Sequence, residues 1–380
     1  LPAEPKIFHG RENELADILK LFQEESPRIA ILGAGGMGKT SLSRAVLHHS
    51  KITVKYHANR FFIACDGFTT KLELVNTIGA HLGLKPGQDL TQGVFRYLSN
   101  APPTLLVLDN LETLWDPAES RKEVEGFLSL LTDIPSLALI ITMRGAERPS
   151  QVKWTRPFLP PLGPLAEDAA QQMFLDIAED GHSIEEVNQI LALTDNMPLV
   201  ISLLAHLVDA EGCSRILSRW ETEKTALLSE GYNKRSNLES SISLSLSSSR
   251  MTSMPNSQDL LSLLSILPDG LSDVELKQSK FPVKDILGCK TALLRTSLAY
   301  TDDHKRLKVL VPIKEYMQHL LPATDQMIRP LFKYFQELLE LYMAHVGKAS
   351  GMLSISQISS NFSNIQKILR YFLHQGHPDL

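Results

Sequence analysis

The residues best placed to do chemistry lie in "RIAILGAGGMGKTSL", where Gly33, four further residues, Gly38, Lys39 and Thr40 follow an apolar run. Glycines at 33, 35, 36 and 38 let successive backbone N–H groups turn inward as a nest for an anion. A helix starting just after them adds its N-terminal partial charge. Lys39 is expected to reach the β- and γ-phosphates of a nucleotide, and Thr40 to ligate Mg²⁺. The predicted nucleotide-binding loop therefore runs over Gly33, Ala34, Gly35, Gly36, Met37, Gly38, Lys39, Thr40 and Ser41. A glycine-rich turn matching the pattern by chance is the bland alternative; the strand before it and the helix after it argue against that.

Three further segments supply partners. "TLLVLDNLET" is an apolar run delivering Asp109, which can hold Mg²⁺ through water; its other reading is an N-cap for the next helix. Many nucleotide hydrolases put a second carboxylate in the next position, and here it is Asn110, which can orient a water but cannot take its proton. Glu112 could swing in as the general base, or be no more than a first-turn carboxylate favoured by the helix dipole. "LALIITMRGAER" brings Thr142 and Arg144 to the same ligand-binding edge, where a guanidinium fork can read a γ-phosphate or simply be solvated. The catalytic set expected from the residues is Lys39, Asp109, Glu112 and Arg144, with Thr40 and Asp109 as metal ligands. Guanine specificity usually needs Asn-Lys-x-Asp; "NKRS" at 233–236 lacks the Asp, so adenine is the expected base.

These residues need a sheet to hold them. "RIAIL", "RFFIAC", "TLLVLD", "LALIIT" and a weaker "RPFLP" predict five buried strands separated by crossover helices, a three-layer sandwich with a largely parallel sheet over 1–163. From 164 to 235 the spacing is helical. "SNLESSISLSLSSSRM" allows a strand, from alternating Ile242, Leu244 and Leu246, or a helix, from Leu238, Ile242 and Leu246; the helix is preferred. Residues 236–322 follow a helix–helix–helix–hairpin order, that of a winged helix, with the hairpin in "SLAYTDDHKRLKVLV". Residues 323–380 return to helical periodicity and stop inside it, as the start of a further helical or repeat region.

A chain of 380 residues, 43% of them hydrophobic, can bury more than one core. A net charge of −5 gives no electrostatic argument for nucleic acid or an anionic membrane. Three cysteines, Cys65, Cys213 and Cys289, form neither a disulfide framework nor a metal cluster, which favours a reducing, cytoplasmic setting. Apolar runs such as "LALII" are too short to span a bilayer. The chain opens without a methionine or a secretory signal, so Leu1 is expected to be a cut point within a longer protein.

With these motifs placed, nearly the whole chain resembles the nucleotide-binding module of the STAND ATPases, in particular the NB-ARC branch of NOD-like and plant-type resistance receptors, and especially its fungal members. "GAGGMGKT" and "LLVLDNLE" resemble that family's phosphate loop and metal strand, and "ITMR" its phosphate-sensing Thr-x-Arg. "IFHGRENEL" resembles the entry segment, which implies Phe8 and Arg11 beside the base. "NMPLVISLLA" resembles the Gly-x-Pro segment, which implies that Pro198 contacts the nucleotide from a hinged helical lid; Asn196 stands where the glycine belongs, and left-handed geometry tolerates Asn. One departure matters more. The family's winged helix carries Met-His-Asp, whose histidine grips the β-phosphate of ADP, but the matching stretch "VLVPIKEYM" has Pro312 or a neighbour in that place. The resting-state lock must then be weaker or come from elsewhere; His304 and Lys305 are candidates, or plain turn residues.

The resemblance implies bound ATP or ADP with Mg²⁺, slow hydrolysis serving a conformational switch, self-oligomerisation, and upstream effector and downstream sensor domains in the same longer chain, with fungal self/non-self recognition or programmed cell death as the output. Two rivals compete. An AAA-type DNA-loading ATPase would show a basic recognition helix, and "VKDILGCKTALLRTS" carries only Lys284, Lys290 and Arg295. A non-hydrolysing scaffold would keep its nucleotide as a structural ligand.

Overall fold

The computed structural model describes residues 1–65, 67–85, 87, 90–178, 181–223, 238–302, 304–345 and 351–374. The chain divides into two compact units, one containing residues 1–223 and 238–249, the other beginning at Arg250. Among the described residues no helix is long and apolar enough to cross a membrane.

The first unit is built on four parallel strands, β1 (Arg28–Gly33), β2 (Arg60–Ala64), β3 (Thr104–Asp109) and β4 (Leu137–Arg144), in the order β1-β4-β3-β2. The two inner strands are buried along nearly their whole length, as unbroken Leu/Ile/Val runs covered on both faces require. Edge strand β2 is buried mainly at Ile63. The other edge strand, β1, is buried all the same, because the segment 155–162 runs beside it.

That segment corrects the expectation of a fifth strand. "RPFLP" forms none; it touches β1 at two ends only, where Thr155 N–H donates to Arg28 O at 3.0 Å and Leu162 N–H to Leu32 O at 2.7 Å. A single bridge, Gly33 to Leu162, is all the pairing that results. Pro157, Pro160 and Pro161 lie between and lack the N–H a ladder needs. An apolar run flanked by prolines covers the edge without joining it.

Among the described residues, the strand-free part of this unit contains helices Glu167–Leu175, Ile184–Thr194, Pro198–Glu211, Cys213–Glu223 and Leu238–Leu246. Ser183 caps the second, its hydroxyl accepting from Glu186 N–H at 3.2 Å, and Pro198 opens the third at the first-turn position where a missing N–H costs nothing. The serine-rich stretch is the preferred helix, Leu238–Leu246. Leu238, Ile242 and Leu246 are buried and Leu244 is 60% exposed, so the four-residue stripe overrides the alternation. "NKRS" at 233–236 lies outside the described residues.

The second unit has helices Asn256–Ser265, Asp273–Gln278 and Ile286–Arg295 and a small antiparallel sheet of β5 (Leu271–Ser272), β6 (Tyr300–Thr301) and β7 (Arg306–Lys308), ordered β5-β7-β6. The expected hairpin is β6 and β7. Pro312 sits buried in the first turn of helix Val311–Leu320, while His304 and Lys305 are exposed in the hairpin turn. Helices Asp325–His345, Gly351–Ser360 and Phe362–His374 follow.

A buried polar cluster ties the last helix to the small sheet. Arg306 lies 3.0 Å from Glu275 and donates to Asp269 O at 2.8 Å, Gly270 O at 2.9 Å and Asn361 Oδ1 at 2.7 Å. Asn361 donates in turn to Glu275 at 2.5 Å, and Asn364 to Gly270 O at 2.8 Å.

Candidate nucleotide site

The site gathers at the carboxyl ends of β1, β3 and β4, the edge where open α/β sheets bind ligands. Register puts Gly33 opposite Arg144 and Ala64 opposite Asp109. A cleft of about 420 Å³ opens there, walled by Gly35, Gly36, Gly38, Lys39, Thr40 and Ser41 of the loop, by Asn110 and Arg144, and by Pro198 from the helical part.

The glycine loop is curled rather than flat. Gly38, at φ +83°, caps helix Lys39–His48 in the left-handed region, and a side chain there would meet nothing. Gly36, at φ +80°, is constrained twice: a Cβ would come within 2.9 Å of Leu199 Cβ. That close approach lets Leu199 N–H donate to Gly36 O at 3.1 Å. Ala34 and Met37 face the core, so they offer the cleft only backbone.

Lys39 is 6% exposed, and its ammonium donates back to Gly33 O at 3.0 Å and Ala34 O at 2.7 Å. Burial pushes its pKa down to about 8; Glu112 and Asp109 oppose that shift and Arg144 adds to it. Thr40 Oγ1 donates to the buried Asp109 carboxylate, 2.9 Å from Oδ2 and 3.0 Å from Oδ1. Thr142 Oγ1 donates to Asp109 Oδ1 at 2.6 Å and accepts from Asn110 N–H at 3.0 Å, which fixes the carboxylate against the end of β4.

Asn110 has φ +57°, a conformation Asn tolerates better than most residues. Glu112 begins the short helix Glu112–Trp115 and is neither solvated nor free. Its Oε1 lies 3.1 Å from Arg144 Nε, while Oε2 is buried with no hydrogen-bond partner. Burial raises its pKa, against the pull of Lys39 and Arg144.

The structure thus brings Lys39, Thr40, Asp109, Glu112, Arg144 and Pro198 together. Arg11 lies elsewhere: 5% exposed, it donates to Met37 O at 3.2 Å and to Gly163 O at 2.5 Å, and so buttresses the outside of the loop. Phe8 is half-buried away from the cleft, and Ile7 lines it instead. Sequence reasoning missed Ile7, Met173, Ile177, Leu199 and Ser202 on the cleft wall. Met173 and Ile177 recur at i, i+4 and read as core; only their half-burial beside fully buried Phe174 sets them apart.

The donor set fits a magnesium polyphosphate. A hydroxyl and a carboxylate meet at metal-ligand positions, an ammonium rests on loop carbonyls that a phosphate would displace, and one buried carboxylate oxygen awaits a partner. Thr40 and Asp109 would hold Mg²⁺, which supplies charge neutralisation at the phosphates.

Strand, glycine nest, helix and metal-carboxylate strand in this arrangement define a P-loop NTPase. Residues 2–258 match the family described as Novel STAND NTPase 1, and the chain belongs to that family. It is 31% identical over 117 residues to the putative disease resistance protein RGA4 of Solanum bulbocastanum, covering 28% of this chain and 12% of that one. Disease resistance protein RGA2 of the same plant is 26% identical over 197 residues, 49% of this chain and 19% of its own length. The matched region is thus less than a fifth of either relative. Among solved structures, the Walker-type ATPase paby2304 of Pyrococcus abyssi has the same fold, with a TM-score of 0.57 at 15% identity over 84% of this chain and 98% of that one.

Proposed function

We propose that this chain is the ATP/ADP-dependent switch of a larger signalling protein, hydrolysing its nucleotide slowly and coupling nucleotide state to domain opening and self-assembly. The observation that carries the reading is the convergence of Lys39, Thr40, Asp109 and Arg144 on one cleft whose far wall is Pro198 of the helical part. Lys39 and the loop amides bind the β- and γ-phosphates; Arg144 reads the γ-phosphate. Asn110 positions water without deprotonating it, and Glu112, engaged by Arg144, is not held ready as a base. A missing positioned base costs roughly 10²–10⁴-fold in rate, which suits a protein whose output is a conformation.

On this reading the chain has four parts, an α/β domain over 1–163, a helical lid over 164–235, a winged helix over 236–322 and the start of a further helical region over 323–380. Effector and sensor domains lie on the same longer chain. The resistance-protein relatives support an immune role; a fungal branch, a cell-death output and a cytoplasmic location belong to the proposal.

Mass spectrometry of nucleotide released from the purified protein, before and after prolonged incubation with ATP, tests it. ADP should accumulate over hours. ATP recovered unchanged would leave a scaffold, and protein that holds no nucleotide at all would remove the reading.

A further inference from the structure

The opposite edge of the same sheet carries a second concentration of charge. Arg28 begins β1 and Gly33 ends it, so the two edges are about 16 Å apart along the strand at the usual rise per residue. Around Arg28, segment 148–158 folds into a cleft of about 760 Å³, within the range of small-molecule sites. Its charged lining is Arg28, Arg148, Lys153 and Arg156 against one carboxylate, Glu24.

Those cations are arranged, and they are not neutralised. The guanidinium carbons of Arg148 and Arg156 lie over the Phe158 ring, 4.7 and 5.2 Å from its centroid, so one ring gathers two cations. Arg148 is anchored by donating to Leu159 O at 2.6 Å, and burial lowers its pKa without an acid to compensate. Arg28 donates to Thr132 O, yet its Nε is buried with no partner. The wall itself is fixed: Trp154 Nε1 donates to Pro149 O at 2.9 Å, and Thr155 exchanges two bonds of 3.0 Å with the backbone of Arg28. Among the described residues none of these four cations has a carboxylate partner. Elsewhere on a chain of net charge −5, Arg219 and Arg306 are met by carboxylates, whereas Arg60 and Arg121 stand singly on backbone carbonyls; the cleft differs in gathering four such cations on one wall. Arg28 and Arg148 are partly buried, and keeping them without a counter-charge costs stability that a ligand would recover; Lys153 and Arg156 add exposed charge at the rim.

We propose that the cleft walled by Arg28, Arg148, Lys153 and Arg156 is a second anion site, which takes a free small molecule carrying several phosphate groups. Each phosphate monoester brings about −1.5 to −2 charges, so two such groups match the local excess. Guanidinium forks suit phosphate oxygens, and the cleft's position keeps its occupant clear of the nucleotide.

The test is calorimetric titration of inositol hexakisphosphate into the full chain already saturated with ADP and Mg²⁺, so that the glycine loop is filled. One site per chain is expected, with quenching of the Trp154 indole emission. Lys153 and Arg156 are exposed, so the double variant Lys153→Glu/Arg156→Glu should keep its melting temperature and lose roughly tenfold or more in affinity. No binding, or the same affinity in the double variant, overturns the proposal. So does a short single-stranded DNA or an acidic peptide that binds this cleft more tightly than the small polyanion.

Discussion

Two buried clusters of charge, one in each unit, use the same residue types to opposite ends. In the second unit Arg306, Glu275, Asn361 and Asn364 satisfy one another and the backbone of Asp269 and Gly270. In the first, Lys39, Asp109, Glu112 and Arg144 are equally buried or nearly so, but Glu112 Oε2 lacks a partner and Lys39 rests on its own loop. Closed polar networks hold a structure together, whereas open ones wait for something. Burial of charge alone does not mark a functional site; here the difference is an unpartnered carboxylate oxygen beside a cleft that a ligand can enter.

The sharpest way to break this comparison is to delete one cation from each cluster. Arg306→Leu strands Glu275 without its counter-charge and should cost about 3–5 kcal/mol, seen as a fall in the unfolding midpoint in denaturant. If it is instead neutral, the network is ornamental. Lys39→Ala should do the reverse: ADP affinity falls about 10–100-fold by titration, while the ligand-free protein is no less stable, because a desolvated ammonium has been removed. Parallel losses of stability in both variants would erase the distinction.

Smaller effects sharpen the picture. Asn110→Asp should raise steady-state phosphate release by roughly tenfold or more, with nucleotide affinity little changed; an unchanged rate with normal binding removes Asn110 from the explanation of slow turnover. The smallest effect is in pH dependence. Burial raises the folded-state pKa of Glu112 above its ordinary value, so the folded state holds the proton more tightly than the unfolded chain. Its contribution is fully present below the ordinary pKa and is lost as pH rises through the raised one. Ligand-free protein should therefore lose stability over that window, and Glu112→Gln should flatten the slope.

How much of this was legible beforehand follows from what each signal encodes. The phosphate loop, the Asp109 strand and the Arg144 strand were readable because their chemistry needs fixed residue types at short spacing beside buried strands. The Leu238–Leu246 helix was readable from a four-residue stripe despite its serines. "RPFLP" misled, since hydrophobicity marks burial whereas a ladder also needs N–H donors that proline lacks. Arg11 braces the loop from outside and Phe8 does not line the cleft, because the entry segment's hydrophobic order does not say which neighbour points inward; Ile7 does. The cleft wall at Met173, Ile177 and Ser202 comes from a distant part of the chain, and no local pattern could announce it.

The bonds on the outer side of the glycine loop have a practical consequence. Met37 O takes a guanidinium from the entry segment, and Gly36 O takes the amide that follows Pro198. A fragment trimmed to the sheet and its crossover helices would retain every letter of the phosphate signature while stripping both carbonyls of their braces. Its amides would have to be gathered afresh at each encounter with ligand, so its grip should weaken even though no ligand-touching side chain had been altered.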